Sequence, residues 1–183
     1  MKTESMVKYV ARLAITLLLI TAVVAAALAG VNSVTAPVIT QLKAEKLQNA
    51  IEQVLPGGGE SVAFTDDTGW VSALYKSDSG YAGEVTPTTG FNGAITMMVG
   101  IDNDGKVLGI SVVTQTETAG LGAVAAAKTS AGETFRGQYV GLSGSVSVTK
   151  DGGEVEAITG ATITSRAICD GVNAALACVA NMG

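Results

Sequence analysis

Four hydroxyl side chains crowd one short stretch near the C-terminus: Thr159, Thr162, Thr164 and Ser165, set around Gly160-Ala161. Downstream, Ile168, Val172, Ala175, Leu176 and Val179 recur at helical spacing, so the hydroxyls sit where a strand end turns into a last helix. A helix mouth behind a glycine turn is an anion site, because unsatisfied N–H groups and the positive end of the helix dipole both face it. Gly160 permits an unusual backbone conformation, and Ala161 keeps the approach open. Residue types alone leave a simpler reading in place: Thr162, Thr164 or Ser165 caps the helix, which needs a single hydroxyl.

The rest of the chain narrows the chemistry by exclusion. The 183 residues hold no His, which removes imidazole bases, Ser-His-Asp triads and the usual zinc and haem ligand sets. Two Cys are too few for an iron–sulfur cluster. Cys169 and Cys178 lie nine residues apart on the last helix. They face opposite sides with Cα atoms ~13 Å apart, beyond disulfide reach, and read as small buried hydrophobes. Asp102-Asn103-Asp104-Gly105 invites a calcium reading, but the further acidic ligands of an EF-hand loop are missing. No catalytic or metal-ligating residue is assigned. The net charge of −5 argues against a nucleic-acid partner.

The elements that must position this site begin with a membrane segment. Up to Leu42 the charge balance is +2, from Lys2, Lys8 and Arg12 against Glu4, and from Lys43 onward it is −7. No charge stands between Arg12 and Lys43, and Leu13–Val31 is an apolar run of 19 residues. A helix of that length nearly spans a ~30 Å hydrocarbon core. A cleaved signal peptide with an A-x-A-like site at Ala27-Leu28-Ala29 is the rival, though its apolar region exceeds the usual length. A retained anchor with a cytoplasmic basic tip is the expectation, and both readings export the remainder. The expected organisation is a cytoplasmic tip (1–12), a transmembrane helix (13–34), a stalk helix and linker (35–59) and an extracytoplasmic domain (60–183).

Pro37 stands where a further helical stretch can start, and Ile39, Leu42, Leu47, Ile51, Val54 and Leu55 follow at helical spacing. That face suits packing on the domain as well as binding a partner. Pro56 and Gly57-Gly58-Gly59 end it. Strands are expected at 61–65 and 70–75 around Asp66-Asp67-Thr68-Gly69, at 80–85 and 90–95, at 93–101 and 106–114 around the 102–105 turn, and at 143–150. The segments at 80–85 and 90–95 resemble each other, as a small repeat or as two Gly-rich strand starts. A short helix is expected over 120–128. Antiparallel hairpins with interspersed helices define an α+β fold.

Glu156-Ala-Ile-Thr-Gly-Ala-Thr162 resembles the flavinylation motif of the FMN-binding domain family, roughly D-x-x-[S/T]-G-A-[S/T]. Thr116-Glu-Thr-Ala-Gly-Leu-Gly122 is similar to that family's E-T-P-G-L-G element, and Phe135-Arg-Gly-Gln-Tyr139 to its F-x-G-Q-[F/Y] element. Residues 90–102 resemble one of its strands. The motif order, the single N-terminal span and the length fit the branch formed by the G subunits of Rnf-type complexes; the related C subunits of sodium-pumping NADH:quinone reductases are usually longer. Two departures stand out. Glu156 replaces Asp and reaches one methylene further, and Ala119 replaces Pro, which loosens its loop.

The resemblance implies a phosphoester between Thr162 and FMN, made by a flavin transferase. Thr159, Gly160 and Ala161 would shape the turn. Glu117, Thr118, Leu121 and Gly122 would lie near the ribityl chain or ring, with Gln138 supporting the pocket; for Glu117, a solvated loop carboxylate is the competing reading. It implies an electron carrier, not an enzyme on its own, among the other membrane subunits of an Rnf-type complex that passes electrons between ferredoxin and NAD and moves sodium or protons. Two alternatives remain at this level. One is a flavin-carrying component of a sodium-pumping quinone reductase or another exported reductase. The other is a non-enzymatic anchored module that binds a different anion.

Overall fold

The structure, a computed structural model, describes residues 2–182, with side chains described from Met6 onward. It divides into two compact units, Met1–Glu45 and Lys46–Gly183. The first is helical throughout its described residues and belongs to helix α1 (Lys2–Val54). Its apolar side chains are exposed, with Leu17 and Leu28 both at 65%. A helix apolar on every side needs a nonaqueous surrounding, and α1 is long and apolar enough to cross a membrane, with a mean hydropathy of 2.5 in its most apolar stretch. Pro37 does not open a new helix. It lies inside α1, at the cost of one intrahelical hydrogen bond.

The second unit is a sheet covered on both faces. Strands β1 (Glu60–Ser61), β2 (Val71–Ser77), β3 (Gly80–Val85), β4 (Thr96–Asp102) and β5 (Val107–Thr114) form an antiparallel meander in the order β1-β2-β3-β4-β5. Side chains of a strand alternate between faces, and β4 is buried on both. Met97, Val99 and Ile101 enter one apolar cluster while Met98 enters another. The larger cluster is filled by helix α3 (Thr162–Ala180), through Ile168, Val172, Ala175, Leu176 and Val179, the stripe expected from spacing, together with Ala167. The smaller cluster holds Ala50, Ile51, Val54 and Leu55 against Ala82 and Met98. The last turns of α1 are therefore part of the globular unit. Gly100 permits this approach, since a Cβ there would collide with the Val54 carbonyl oxygen.

The α+β class agrees with expectation, and several boundaries do not. The 61–65 strand shrinks to Glu60–Ser61, while the expected 66–69 turn is closed by Asp66. Its carboxylate accepts from the Thr68 and Val71 amides and the Thr68 hydroxyl at 3.0, 2.9 and 2.7 Å. The expected 90–95 strand is absent, with β4 starting at Thr96; the Asn92 amide is drawn to the Glu117 carboxylate instead. The expected 143–150 strand is absent as well. The Asn173 side chain bonds both the amide and the carbonyl of Val146, at 2.7 and 2.8 Å, and so takes the place of a neighbouring strand. Residues 149–151 close a short 3-10 turn, and a second 3-10 helix, Gly122–Ala126, occupies the middle of the expected 120–128 helix. Helix α2 (Ser130–Gly137) has no counterpart in the sequence reading. In the 102–105 turn, the Asp102 carboxylate accepts from the Asp104 and Lys106 amides at 2.9 and 2.8 Å, and Cys169 and Cys178 are free and buried.

Candidate functional site

The mouth of α3 is built by a β-turn in which the Ala161 amide donates to the Ile158 carbonyl at 2.9 Å. Gly160 has φ +77°, a conformation side-chain-bearing residues adopt at a cost. The residue flanking α3 is Ala161, and no side chain caps the helix. Two of the four hydroxyls are spent elsewhere. Ser165 donates to the Ala161 carbonyl and accepts from the Ile158 amide, both at 3.0 Å. Thr164, 1% exposed, donates to the Glu117 carboxylate at 2.5 Å. Neither hydroxyl caps the helix, contrary to the simpler sequence reading. Thr159 is exposed in the turn. Thr162, the first residue of α3, is half-buried, and its hydroxyl accepts from the Lys150 ammonium at 3.2 Å.

Glu117 fixes this mouth to the rest of the site. It is 8% exposed, and so is not a solvated loop carboxylate. It accepts from the Asn92 amide at 2.9 Å as well as from Thr164, which ties together the 90–93 loop, the 116–122 loop and α3. Gly122 is enclosed by the same contact: a Cβ there would collide with Thr164 Oγ1 and lie 2.6 Å from Glu117 Oε2. Thr118 accepts from the Asn92 side-chain amide at 3.4 Å, and its carbonyl accepts from the Leu121 and Ala123 amides. Leu121 is 41% exposed and lies over the turn, with its Cδ2 3.0 Å from where a Gly160 Cβ would stand.

Helix α2 braces both approaches to the site. Arg136 donates to the Ala125 and Ala127 carbonyls at 2.7 and 3.0 Å, which holds the chain following Gly122. Gln138 donates to the Glu156 carbonyl at 3.2 Å and accepts from the Glu156 amide at 2.7 Å, which holds the chain leading to the turn. Phe135 and Tyr139 are buried, their rings edge-to-face at 5.5 Å. Burial, with the Cys169 thiol at 3.5 Å, pushes the Tyr139 hydroxyl far above the ordinary tyrosine range.

The structure thus brings Glu117, Thr118, Leu121, Gly122, Thr159, Gly160, Ala161 and Thr162 into one constellation, while Gln138 acts on the segment before the turn. Sequence reasoning missed Lys150, Asn92 and Arg136, and also two exposed apolar residues, Phe91 at 63% and Ile163 at 48%. Phe91 lies one residue from Asn92 within the segment GFNG, where a signal was available. Lys150 ends a Ser/Val run and carried none.

An uncapped helix mouth, a cation on the hydroxyl of its first residue and small residues at the approach suit an anionic group such as a phosphate. The class of protein follows from the same domain, because residues 90–177 match the FMN-binding domain family. The chain is 33% identical over 181 residues to the G subunit of an ion-translocating oxidoreductase complex from Methanosarcina acetivorans, covering 92% of this chain and 94% of the relative. It is also 33% identical over 197 residues to the G subunit of the Na(+)-translocating ferredoxin:NAD(+) oxidoreductase complex of Acetobacterium woodii, covering 96% and 94%. It is 34% identical over 154 residues to the G subunit of the proton-translocating ferredoxin:NAD(+) oxidoreductase complex of Clostridium ljungdahlii, covering 81% and 80%. The chain belongs to the family formed by the G subunits of ion-translocating oxidoreductase complexes.

Proposed function

We propose that this chain is a membrane-anchored electron carrier of an Rnf-type ferredoxin:NAD oxidoreductase complex, holding FMN through a phosphoester on Thr162. The observation that carries the reading is that Thr162 alone combines the first position of an uncapped helix with a hydroxyl facing an ammonium group. When bound, the flavin supplies one- and two-electron redox chemistry. The chain's residues supply position and charge. Lys150 and the α3 mouth neutralise the phosphate, and Gly160 and Ala161 keep the approach free of bulk. Phe91, Leu121 and Ile163 offer exposed apolar surface, one from each segment that Glu117 ties together. Glu117 itself orients those segments, because both of its oxygens are occupied by protein donors.

A covalent tether suits an exported domain, where a dissociated cofactor is lost, since it keeps the flavin at high effective concentration. Lys2, Lys8 and Arg12 hold the N-terminus in the cytoplasm and leave the domain outside. Glu156, exposed and with its backbone held both ways by Gln138, is presented to a flavin transferase. The other membrane subunits of the complex are its electron partners. Co-expression with a transferase should give a denaturing-gel band that fluoresces as flavin under ultraviolet light, and Thr162→Val should abolish it. A dark wild-type band, or a fluorescent T162V band, overturns the reading.

A further inference from the structure

The Lys150 contact to Thr162 has a second pair of charges beside it. The 3-10 turn that carries Lys150 also carries Asp151, whose carboxylate is the nearest competitor in sequence for the Lys150 ammonium. Arg166, one helical turn beyond Thr162, occupies both Asp151 oxygens, its Nε and one terminal nitrogen donating at 2.6 and 2.7 Å. This is the one ion pair among the described residues. The Arg166 hydrogen bonds hold the Asp151 carboxyl below the usual carboxylate range, with Lys150 close enough to add to the effect. Both Asp151 oxygens accept from Arg166, and the Lys150 ammonium donates to Thr162 Oγ1.

We propose that Lys150 is a positioning residue for flavin attachment, and that Arg166 keeps it available by sequestering Asp151. The inference rests on Thr162 being the attachment point. In the step it serves, Thr162 Oγ1 bonds to the FMN-side phosphorus of an anhydride-linked flavin dinucleotide. The bond from that phosphorus to the bridging oxygen breaks, and the leaving nucleoside monophosphate takes the electron pair. The hydroxyl proton passes to a base on the transferase, and nothing is oxidised or reduced. Lys150 holds the hydroxyl at the mouth of α3, favours negative charge on its oxygen as the proton leaves, and then faces the anionic phosphodiester. Loss of Arg166 frees Asp151, which draws the ammonium away.

The test uses the full chain in detergent with a purified flavin transferase and FAD, following the attached mass with time. Lys150→Gln should slow attachment about tenfold, as expected for a lost charge-assisted contact, and Lys150→Arg should restore much of it. Arg166→Gln should slow it several-fold, and the double variant D151N/R166Q should recover toward wild type. Both Arg166 variants lack the ion pair, so a merely structural contribution of that pair predicts equal loss in the two. Wild-type rates for K150Q, or a double variant as slow as R166Q, overturn the inference. Attachment that survives Thr162→Val strikes instead at the proposed function, so the two failures are distinguishable.

Discussion

Replacing Glu117 by Ala removes the one group that joins three segments of the site. Two donors lose their acceptor, the Asn92 amide at 2.9 Å and the Thr164 hydroxyl at 2.5 Å. Hydrogen bonds to a charged group contribute roughly 1.5–3 kcal/mol each. Asn92 is exposed and its amide recovers water, whereas Thr164 is 1% exposed and does not. The expected loss is therefore about 2–4 kcal/mol, or a fall in Tm of roughly 6–16 °C for a globular unit of this size. Glu117→Gln separates shape from charge. Its oxygen still accepts from Asn92 and its amide donates to the Thr164 oxygen, so the loss should be about 1 kcal/mol. Thermal unfolding of the full chain, read from the fluorescence of Trp70, its single tryptophan, measures both. A Glu117→Ala protein that melts within ~2 °C of wild type, or that cannot be told from Glu117→Gln, refutes the bracket.

Gly100→Ala should cost about 2–3 kcal/mol in urea unfolding, because its Cβ would meet the Val54 carbonyl, while Gly109→Ala, with nothing within 4 Å, should cost under ~0.5 kcal/mol. Gly160→Ala meets the Leu121 methyl and a positive φ, so it should lower stability by about 1–2 kcal/mol and slow flavin attachment measured by mass. Burial opposes ionisation of Asp66, but hydrogen bonds from Thr68 and Val71 outweigh it and hold its carboxyl below the ordinary aspartate range. The stabilisation from a depressed carboxyl is present above its unfolded pKa and fades as pH falls through the folded one. Asp66→Asn should therefore melt a few degrees below wild type at pH 7, with the gap closing below about pH 4; an equal gap at both pH values counts against the linkage.

The sequence made the long apolar helix, the hairpin at 102–105 and the last helix legible because each leaves a periodic or turn-residue signal. The apolar run of α1 and the 102–105 turn are local patterns that need no partner to interpret. Helix α2 left none: over eight residues a 3.6-residue period barely repeats, and only Phe135 marks its buried face among larger side chains. The 143–150 run failed for a different reason. Its alternation was that of a strand, but the bond-making partner at Val146 is the Asn173 side chain, 27 residues away, and no local pattern encodes that.

The same division runs through the site. The glycine turn and its hydroxyls were legible as residue types, because a turn with φ +77° favours glycine, whereas the Glu117 loop was legible only through its resemblance to a family element. Residue types alone did not choose one hydroxyl from four, and only the motif resemblance pointed to Thr162; the partners that distinguish the hydroxyls are distant in the chain. Glu117 engages Thr164 across 47 residues, Lys150 reaches Thr162 across 12, and Ser165 is consumed by the turn itself. Two of the four hydroxyls are thereby removed from availability, and of the remaining two, Thr159 and Thr162, only Thr162 stands at the first position of α3 with an ammonium on its oxygen, which is why the proposed attachment falls there. On that logic Thr164→Val or Ser165→Ala should weaken the fold without shifting the attachment point, and only a change at Thr162 should erase it.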